Sequence, residues 1–177
     1  MNTEYELRVL DINKELIIQK LIECGAEKIG EYNQKRYVYD TKPKKDSQWI
    51  RLRTDGNKTT LTYKNIIKNT IDGTKELEIE VSDFEDTNKF LEIMGYAHKG
   101  YQENYRIKFK LGNVEIDIDT WPMIPTYMEL EGKNEEDIMK VINLLEIDKK
   151  KITALNCQDI YKEIYDIDIE NIKELKF

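Results

Sequence analysis

The chain has 177 residues and a formal net charge of −7, and 36% of its residues are charged, against about 25% in an average globular domain. The acidic balance argues against nucleic-acid binding, which requires a basic surface. Two cysteines are too few for a disulfide framework or a zinc site, and no apolar stretch is long enough to span a membrane, so we expect a cytoplasmic protein. His98 is the only histidine, so a metal site would use oxygen ligands, which favour Mg²⁺, Mn²⁺ or Ca²⁺.

The first part of the chain predicts a strand, a helix and a second strand. Residues 3–10 alternate polar and apolar side chains with the period of two that is typical of a strand. Asn13 is the predicted N-cap of a helix over residues 14–24, which has an apolar face and is followed by Gly25. Residues 31–41 have the tyrosine and β-branched content of a strand.

Three strands and a helix are predicted next. Residues 48–53 and 59–64 flank an Asp-Gly-Asn sequence that is typical of a β-hairpin turn. Residues 75–81 place glutamates on one face of a strand and apolar residues on the other. Thr87 is the predicted cap of a second helix over residues 88–94.

The most regular alternation lies in the second half of the chain. Residues 101–111 predict a strand, and residues 114–132 predict a β-hairpin whose strands are separated by a Trp-Pro-x-x-Pro turn. One face of this hairpin carries five carboxylates: Glu115, Asp117, Asp119, Glu129 and Glu131. A helix is predicted to start near Asn134, and the tail from residue 155 predicts one or two short helices.

The polar faces of the predicted strands are strongly ionic. Their carboxylates are Glu4, Glu6, Glu76, Glu78, Glu80, Glu115, Asp117, Asp119, Glu129 and Glu131, and their cations are Arg8, Arg51, Arg53, Lys64, Arg106, Lys108 and Lys110. Charges enclosed in a barrel must be paired directly or through a ligand and metals. Arginine and lysine suit a polyphosphate, whereas clustered glutamates suit a hard divalent cation. We therefore predict an α+β fold, an eight-stranded antiparallel β-barrel or tunnel with a charged interior and flanking helices. A helix-covered sheet whose charges simply face water is the alternative.

Several of these motifs resemble the CYTH domain family, also called triphosphate tunnel metalloenzymes. Glu4-Tyr5-Glu6-Leu7-Arg8 is similar to the N-terminal Glu-x-Glu-x-Lys signature of that family. The later motifs that carry the resemblance are Arg51-x-Arg53, Lys64, Glu76-x-Glu78-x-Glu80, Arg106, Asp119 and Glu129-Leu130-Glu131. The resemblance extends over nearly the whole chain and implies a single domain over residues 1–177.

The resemblance implies that a triphosphate and Mg²⁺ or Mn²⁺ bind inside the tunnel. The metal ligands that it implies are Glu4, Glu6, Asp119, Glu129 and Glu131. The phosphate ligands that it implies are Arg8, Arg51, Arg53, Lys64, Arg106 and Lys108. Lys64 and Glu78 are the catalytic candidates, Lys64 for orienting or activating the nucleophile and Glu78 for orienting the basic residues or binding a second metal.

The function favoured by this resemblance is a metal-dependent phosphohydrolase that acts on an inorganic or organic triphosphate, such as tripolyphosphate, ATP or thiamine triphosphate. One alternative is a class IV adenylyl cyclase, which converts ATP to cAMP and pyrophosphate. A cyclase needs a base pocket, for which Tyr37, Tyr39 and Trp121 are candidate stacking residues. The other alternative is a non-catalytic nucleotide- or polyphosphate-binding module. The pattern is compatible with a monomer or a homodimer.

Two residues depart from the pattern of the family. Arg8 stands where the signature has lysine, which replaces a point donor with a forked guanidinium. Asn104 stands two positions before Arg106, where many members carry a second basic residue. Fewer cations in the tunnel predict a shorter or differently seated phosphate chain, or lost turnover.

Overall fold

The computed structural model describes residues 1–177, and its main feature is a sheet that closes on itself. The barrel strands are β1 (Asn2–Val9), β2 (Glu27–Lys45), β3 (Gln48–Thr54), β4 (Thr59–Ile66), β5 (Thr74–Val81), β6 (Gly100–Leu111), β7 (Val114–Thr120) and β8 (Tyr127–Gly132). Neighbouring strands follow the order β6-β2-β3-β4-β5-β1-β8-β7, and β7 pairs back with β6. All these pairings are antiparallel, so the predicted eight-stranded antiparallel barrel is confirmed.

Helices and short segments flank the barrel. They are α1 (Lys14–Glu23), α2 (Phe84–Ile93), α3 (Glu135–Leu144), a 3₁₀ turn (Lys149–Lys151), β9 (Ile152–Thr153), α4 (Cys157–Asp159) with a π-helical turn (Ile160–Ile164), and β10 (Glu174–Leu175). None of the helices combines the length and the apolar character needed to cross a lipid bilayer.

Side-chain caps fix the start of each main helix. The Asn13 and Asn134 side chains accept hydrogen bonds from backbone N–H groups three residues on, as predicted for α1 and α3. The predicted Thr87 cap was wrong, because the Asp83 carboxylate accepts the Asp86 N–H and starts α2 at Phe84. Thr87 lies within that first turn.

The hydrophobic core lies outside the barrel wall, between the strands and the helices. Outward-facing residues of β1, β6, β7 and β8 pack against Ile17 and Leu21 of α1 and Ile138 and Ile142 of α3; these strand residues are Leu7, Val9, Ile107, Phe109, Ile116, Ile118, Met128 and Leu130. Because strand side chains alternate between faces, burying this apolar set outside places the charged set inside the barrel.

A second outer core lies beneath α2 and corrects one prediction. Tyr39, Leu52 and Phe84 are buried together there, and Tyr37 stacks on Phe84 with a centroid distance of 4.9 Å. Tyr37 and Tyr39 therefore face away from the tunnel, and their predicted role in stacking a nucleotide base was wrong.

The C-terminal tail covers one end of the barrel. Tyr161 packs edge-on against Trp121, and its hydroxyl donates a 2.5 Å hydrogen bond to the carbonyl of Pro122. Ile160 and Ile169 join the same apolar cluster, while β10 pairs in parallel with β6. The tail thus forms one short helical segment followed by a short strand, and it packs on the Trp-Pro-x-x-Pro turn.

Candidate active site

The strand register brings oppositely charged side chains together inside the barrel. Facing pairs across neighbouring strands are Arg8 and Glu129, Lys64 and Glu76, Arg106 and Asp119, Lys108 and Asp117, and Lys110 and Glu115. Three of the cations, Arg8, Lys64 and Arg106, are each at most 9% exposed. Enclosed cations of this kind require partners, and the partners differ between the sides of the tunnel.

Arg106 is surrounded by carboxylates. Its guanidinium donates to both oxygens of Asp119, at 2.8 and 2.5 Å, and to Oδ2 of Asp117 at 2.5 Å. Burial lowers the pKa of Arg106, but Asp119 and Asp117 outweigh burial and hold this pKa well above its usual range. Both Asp119 oxygens accept hydrogen bonds from Arg106, so Asp119 holds this arginine in place. The role of Asp119 as a metal ligand stays a prediction.

Arg8 bridges two of the predicted metal ligands. Its Nη2 forms ion pairs with Glu6 and, at 2.8 Å, with Oε2 of Glu129. Its Nη1 donates a 2.8 Å hydrogen bond to the carbonyl of Leu155 in the tail. Burial raises the pKa of Glu129, yet Arg8 and Arg106 more than offset this and hold that pKa below its ordinary range. The forked arginine thus connects β1, β8 and the tail, which a lysine ammonium cannot do in the same way.

Lys64 is held by two carboxylates. Its Nζ donates to both oxygens of Glu4 at 2.9 Å and lies 3.3 Å from Oε2 of Glu76. Burial raises the pKa of Glu4 above its ordinary value, although Lys64 opposes the shift. Lys64 therefore lies at the edge of a group of glutamates, where it can donate hydrogen bonds to a phosphate oxygen or to water.

We call Glu4, Glu6, Glu129 and Glu131, on β1 and β8, the carboxylate wall. Glu131 forms no ion pair, and the residue directly opposite it on β1 is another glutamate, Glu6. Burial, followed by repulsion from Glu4, Glu6 and Glu129, raises the pKa of Glu131 to about 8. The residue as a whole is exposed, so water reaches it while its carboxylate stays crowded by like charges. This wall carries more negative charge than Arg8 and Lys64 neutralise.

The carboxylate wall suits a hard divalent cation in its chemistry, since its donors are all oxygens and repel one another. In this structure no three acidic side chains converge on one point, because Arg8 and Lys64 hold three of the four glutamates. A metal held by this wall would take over glutamate oxygens that now pair with Arg8 and Lys64.

We call Arg36, Arg51 and Arg53, on β2 and β3, the arginine wall. Its nearest acidic partner is Glu78, whose Oε2 lies 3.6 Å from Arg51 and 3.9 Å from Arg53, too far for hydrogen bonds. The Arg53 side chain keeps 20% exposure, yet burial and then repulsion from Arg51 lower its pKa to about 9. This side of the tunnel therefore carries unneutralised positive charge.

Glu78 and Lys108 lie at the edges of this arrangement. Glu78 accepts a 2.7 Å hydrogen bond from Thr62. Burial raises the pKa of Glu78, but Thr62 and Arg53 outweigh it and hold this pKa below its ordinary value, which favours an orienting role over a general base. Lys108 pairs with Glu115 at 2.5 Å beside a second cavity of about 470 Å³, which Arg53 also lines.

Arg36 is the tunnel residue that sequence reasoning missed. The strand over residues 31–41 is predicted from its tyrosine and β-branched content, which does not indicate that any of its residues faces the tunnel. Because Tyr37 and Tyr39 face outward, the same alternation places Gln34, Arg36 and Val38 inward. The alternation in the sequence thus places Arg36 on the inner face, although a single arginine in a tyrosine-rich strand is weak evidence for a tunnel residue.

A cavity of about 360 Å³ joins the charged centre to the tail. Arg8, Arg36, Arg51, Lys64, Arg106, Glu6 and Glu129 line its charged part. Its other end is lined by Trp49, Val38 and tail residues that include Ile169 and Ile172. Trp121 also lines this cavity; its ring lies under Arg36 and edge-on to Tyr161, and its role in stacking a base stays a prediction.

The two walls lie on opposite sides of the tunnel. In the closed strand order, β2 and β1 are four strands apart, and so are β3 and β8. A ligand placed between the walls meets guanidinium groups on one side and carboxylates on the other. A phosphate chain that carries a divalent cation has this distribution of charge.

Comparison with known families gives a match to the CYTH domain over residues 2–169. No curated protein matches the sequence.

Three solved structures have a similar fold. The PH1012 protein of Pyrococcus horikoshii is 24% identical, with 86% of this chain and 96% of that chain covered and a TM-score of 0.75. A candidate adenylate cyclase of Vibrio parahaemolyticus is 17% identical, with coverage of 93% and 98% and a TM-score of 0.72. A candidate adenylyl cyclase of Hippeastrum with a dominant triphosphatase activity is 15% identical, with coverage of 94% and 97% and a TM-score of 0.61. At these identities the likeness shows the fold alone.

Proposed function

Because this chain belongs to the CYTH domain family, whose members bind triphosphates and depend on a metal ion, we propose that it is a metal-dependent phosphohydrolase that acts on a triphosphate inside the tunnel. The observation that carries the proposal is the pair of opposite walls with unneutralised charge of opposite sign. Burial, and then repulsion from Glu4 and Glu6, raise the pKa of Glu131 on one wall. Burial, and then repulsion from Arg51, lower the pKa of Arg53 on the other. A triphosphate with its metal neutralises both walls at once.

The cations of the tunnel divide into two groups in this proposal. Arg51 and Arg53 have no hydrogen-bonded carboxylate, so their guanidinium forks are free to bind phosphate oxygens. Arg106 and Arg8 are held by carboxylates and present fixed positive charge beside the chain of phosphates. Lys108 lies near the second cavity, where it reaches a phosphate only at the far end of the tunnel.

The metal ligands in this proposal are Glu4, Glu6, Glu129 and Glu131. A bound Mg²⁺ or Mn²⁺ supplies charge neutralisation at phosphate oxygens and lowers the pKa of bound water. If Glu6 and Glu129 held the metal, Arg8 would keep its hydrogen bond to the carbonyl of Leu155 and would place positive charge beside the phosphates.

Hydrolysis in this tunnel uses water as the nucleophile. The water oxygen forms a bond to the terminal phosphorus, and the bridging P–O bond breaks with its electron pair retained by the leaving diphosphate. Lys64, which is held in place by Glu4, orients the water or a terminal oxygen through its N–H donors, and the proton of the water passes to solvent. Arg51 and Arg53 stabilise the charge that accumulates on the leaving group.

The 360 Å³ cavity favours a second candidate function, cyclisation of ATP. It extends past the charged centre to Trp49 and the tail, which leaves room for an organic group attached to the phosphates. In that reaction the ribose 3′-oxygen bonds to the α-phosphorus and pyrophosphate leaves. The products separate the two functions, because hydrolysis yields orthophosphate and cyclisation yields pyrophosphate and cAMP.

The test is to identify the products formed from tripolyphosphate, thiamine triphosphate or ATP with Mg²⁺ or Mn²⁺ by ion chromatography. We expect orthophosphate from a triphosphate, and none when EDTA removes the metal. Glu4→Gln is expected to abolish turnover while tripolyphosphate still binds, and Arg53→Gln is expected to weaken binding most.

Lys75→Gln is the matched control, because Lys75 lies on β5 between Thr74 and Glu76 and is exposed on the outer face. It should leave both turnover and binding unchanged. Binding of tripolyphosphate without any product would indicate a binding module, and cAMP from ATP would indicate the cyclase. Neither binding nor turnover, or full activity in both tunnel variants, contradicts the proposal.

A further inference from the structure

Arg36 is a buried cation without an acidic partner. The residue is 6% exposed, and its Nη2 donates to Oε1 of Gln34 at 3.2 Å and to Oδ1 of Asn104, both neutral amides. Its Nε is buried and has no hydrogen-bond partner. Every other arginine in the tunnel lies within 4.0 Å of a carboxylate.

The guanidinium of Arg36 is nevertheless held in a defined place. It lies over the ring of Trp121 with a distance of 4.4 Å to the centroid, and it lines the same cavity as Arg51 and Arg106. Stacking on an indole fixes the plane of the guanidinium without neutralising its charge. Trp121 is itself fixed by Tyr161 of the tail.

An enclosed charge with no counterion costs stability, and an anionic ligand would supply the counterion that Arg36 lacks. We propose that Arg36 is a further phosphate-binding residue of this tunnel and that its missing partner is a phosphate group of the triphosphate. This inference rests on the proposed function. Arg36 lies directly opposite Arg53 across the β2–β3 pair and lines the same cavity as Arg51, so its fork and that of Arg51 face the same ligand space.

Asn104 is the positioning residue for this arginine. Its Oδ1 accepts from Arg36, and its Nδ2 donates a 3.0 Å hydrogen bond to Oδ1 of Asp119. A lysine at position 104 would instead bring an ammonium group against the guanidinium of Arg36. The tunnel therefore has its cation at Arg36 on β2, and the Asn104 amide on β6 orients the Arg36 guanidinium toward the cavity.

The test measures affinity and stability together in Arg36→Gln. Calorimetric titration with tripolyphosphate in EDTA, which prevents metal-dependent turnover, should show binding weakened roughly 10- to 100-fold, as for loss of a charge-assisted hydrogen bond. The ligand-free melting temperature should be unchanged or higher, because an uncompensated buried charge is removed. A residue that only supports the fold would show the opposite pair of results.

Lys35→Gln is the matched control for Arg36→Gln. Lys35 is the preceding residue, is exposed on the other face of β2, and undergoes the same change of charge. Both its affinity for tripolyphosphate and its melting temperature should equal those of the wild type. A weakening like that of Arg36→Gln would mean that net charge alone is responsible and would overturn the assignment.

A charge swap tests the position of the cation. Asn104→Lys in the wild type should lower the melting temperature, since two cations then meet without a ligand. The same substitution in the Arg36→Gln background should recover most of the lost affinity, because it returns a cation to the same part of the cavity.

Three outcomes overturn the role of Arg36: unchanged affinity in Arg36→Gln, a lower melting temperature or failure to fold in that variant, or no recovery in the double variant. These outcomes differ from failure of the proposed function. If the wild type itself does not bind tripolyphosphate, the proposed function fails, and the role of Arg36 fails with it.

Discussion

The arginine wall and the carboxylate wall show the same imbalance with opposite sign. On β2 and β3, burial and neighbouring arginines lower the pKa of Arg36 to about 10 and that of Arg53 to about 9. On β8, burial and neighbouring glutamates raise the pKa of Glu131 to about 8. The walls lie on opposite sides of the tunnel, and no ion pair joins a residue of one wall to a residue of the other.

The satisfied ion pairs lie on the strands between and beside these walls. Arg106 on β6 is held by Asp119 and Asp117, and Lys64 on β4 is held by Glu4. The contrast separates residues that maintain the tunnel from residues that have unused binding capacity. Predicted effects of substitution differ accordingly.

Arg106→Met should cause the largest loss of stability. It leaves the buried Asp117 and Asp119 without their cation, which typically costs about 3–5 kcal/mol in the free energy of unfolding. Unpaired buried carboxyls have raised pKa values and are stabilised by protonation. The loss should therefore be smaller at pH 5 than at pH 8, as measured by urea unfolding.

Lys140→Met is the matched control for this loss. The Lys140–Glu136 pair lies on the surface of α3, with side chains 66% and 78% exposed, so its removal should cost less than about 1 kcal/mol. Comparable losses in the two variants would show that Arg106 does not maintain the tunnel interior.

Glu131→Gln should stabilise the ligand-free protein at alkaline pH. The folded-state pKa of Glu131 is about 8, above its ordinary value of about 4.3, so its contribution to stability is present below the ordinary pKa. That contribution is lost as the pH rises through 8, and glutamine does not ionise. The melting temperature of the variant relative to the wild type should therefore increase from pH 5 to pH 9.

Addition of Mg²⁺ or Mn²⁺ sharpens this test. At pH 9 the metal should raise the melting temperature of the wild type more than that of Glu131→Gln, since it removes the repulsion that the variant already lacks. Glu163→Gln, at an exposed residue of the tail, should show no difference from wild type that depends on pH. A pH-independent effect of Glu131→Gln would show that the carboxylate wall is not crowded.

The fold could be predicted largely because the strand alternation is strict. Polar or charged residues at nearly every second position of β1, β4, β5, β6, β7 and β8 separate a polar face from an apolar face, and the ordered motifs then indicate that the polar face lines a tunnel. The alternation does not say which charges are neutralised. In the sequence, Glu129 and Glu131 are equivalent members of the same alternating pattern, as are Asp117 and Asp119. Only the strand register and the side-chain positions reveal that Glu131 has no cation paired with it.

Long-range partners explain what sequence reasoning missed. The orientation of Arg36 depends on Asn104, 68 residues away, and on Trp121. The fork of Arg8 reaches Leu155, 147 residues away. Tyr37 and Tyr39 suit either face of a strand, and the position of Phe84 on α2 decides that they are part of the outer core.

Glu78→Gln should change stability and affinity for tripolyphosphate least of these variants, and the direction of the change in affinity is informative. Glu78 is the acidic neighbour of the arginine wall but lies 3.6 and 3.9 Å from Arg51 and Arg53, so the expected loss of stability is below about 1 kcal/mol. Removing its negative charge also removes repulsion of the incoming anion. The dissociation constant for tripolyphosphate in EDTA should therefore fall roughly two- to five-fold.

Glu80→Gln is the control for Glu78→Gln, because Glu80 lies two residues along the same strand and is 69% exposed beside Lys58. Its charge is screened by solvent, so the affinity for tripolyphosphate should not change. Weaker binding in Glu78→Gln would mean that Glu78 aligns Arg51 and Arg53 for the phosphates. The arginine wall would then depend on its one acidic neighbour, and the symmetry between the two walls would be lost.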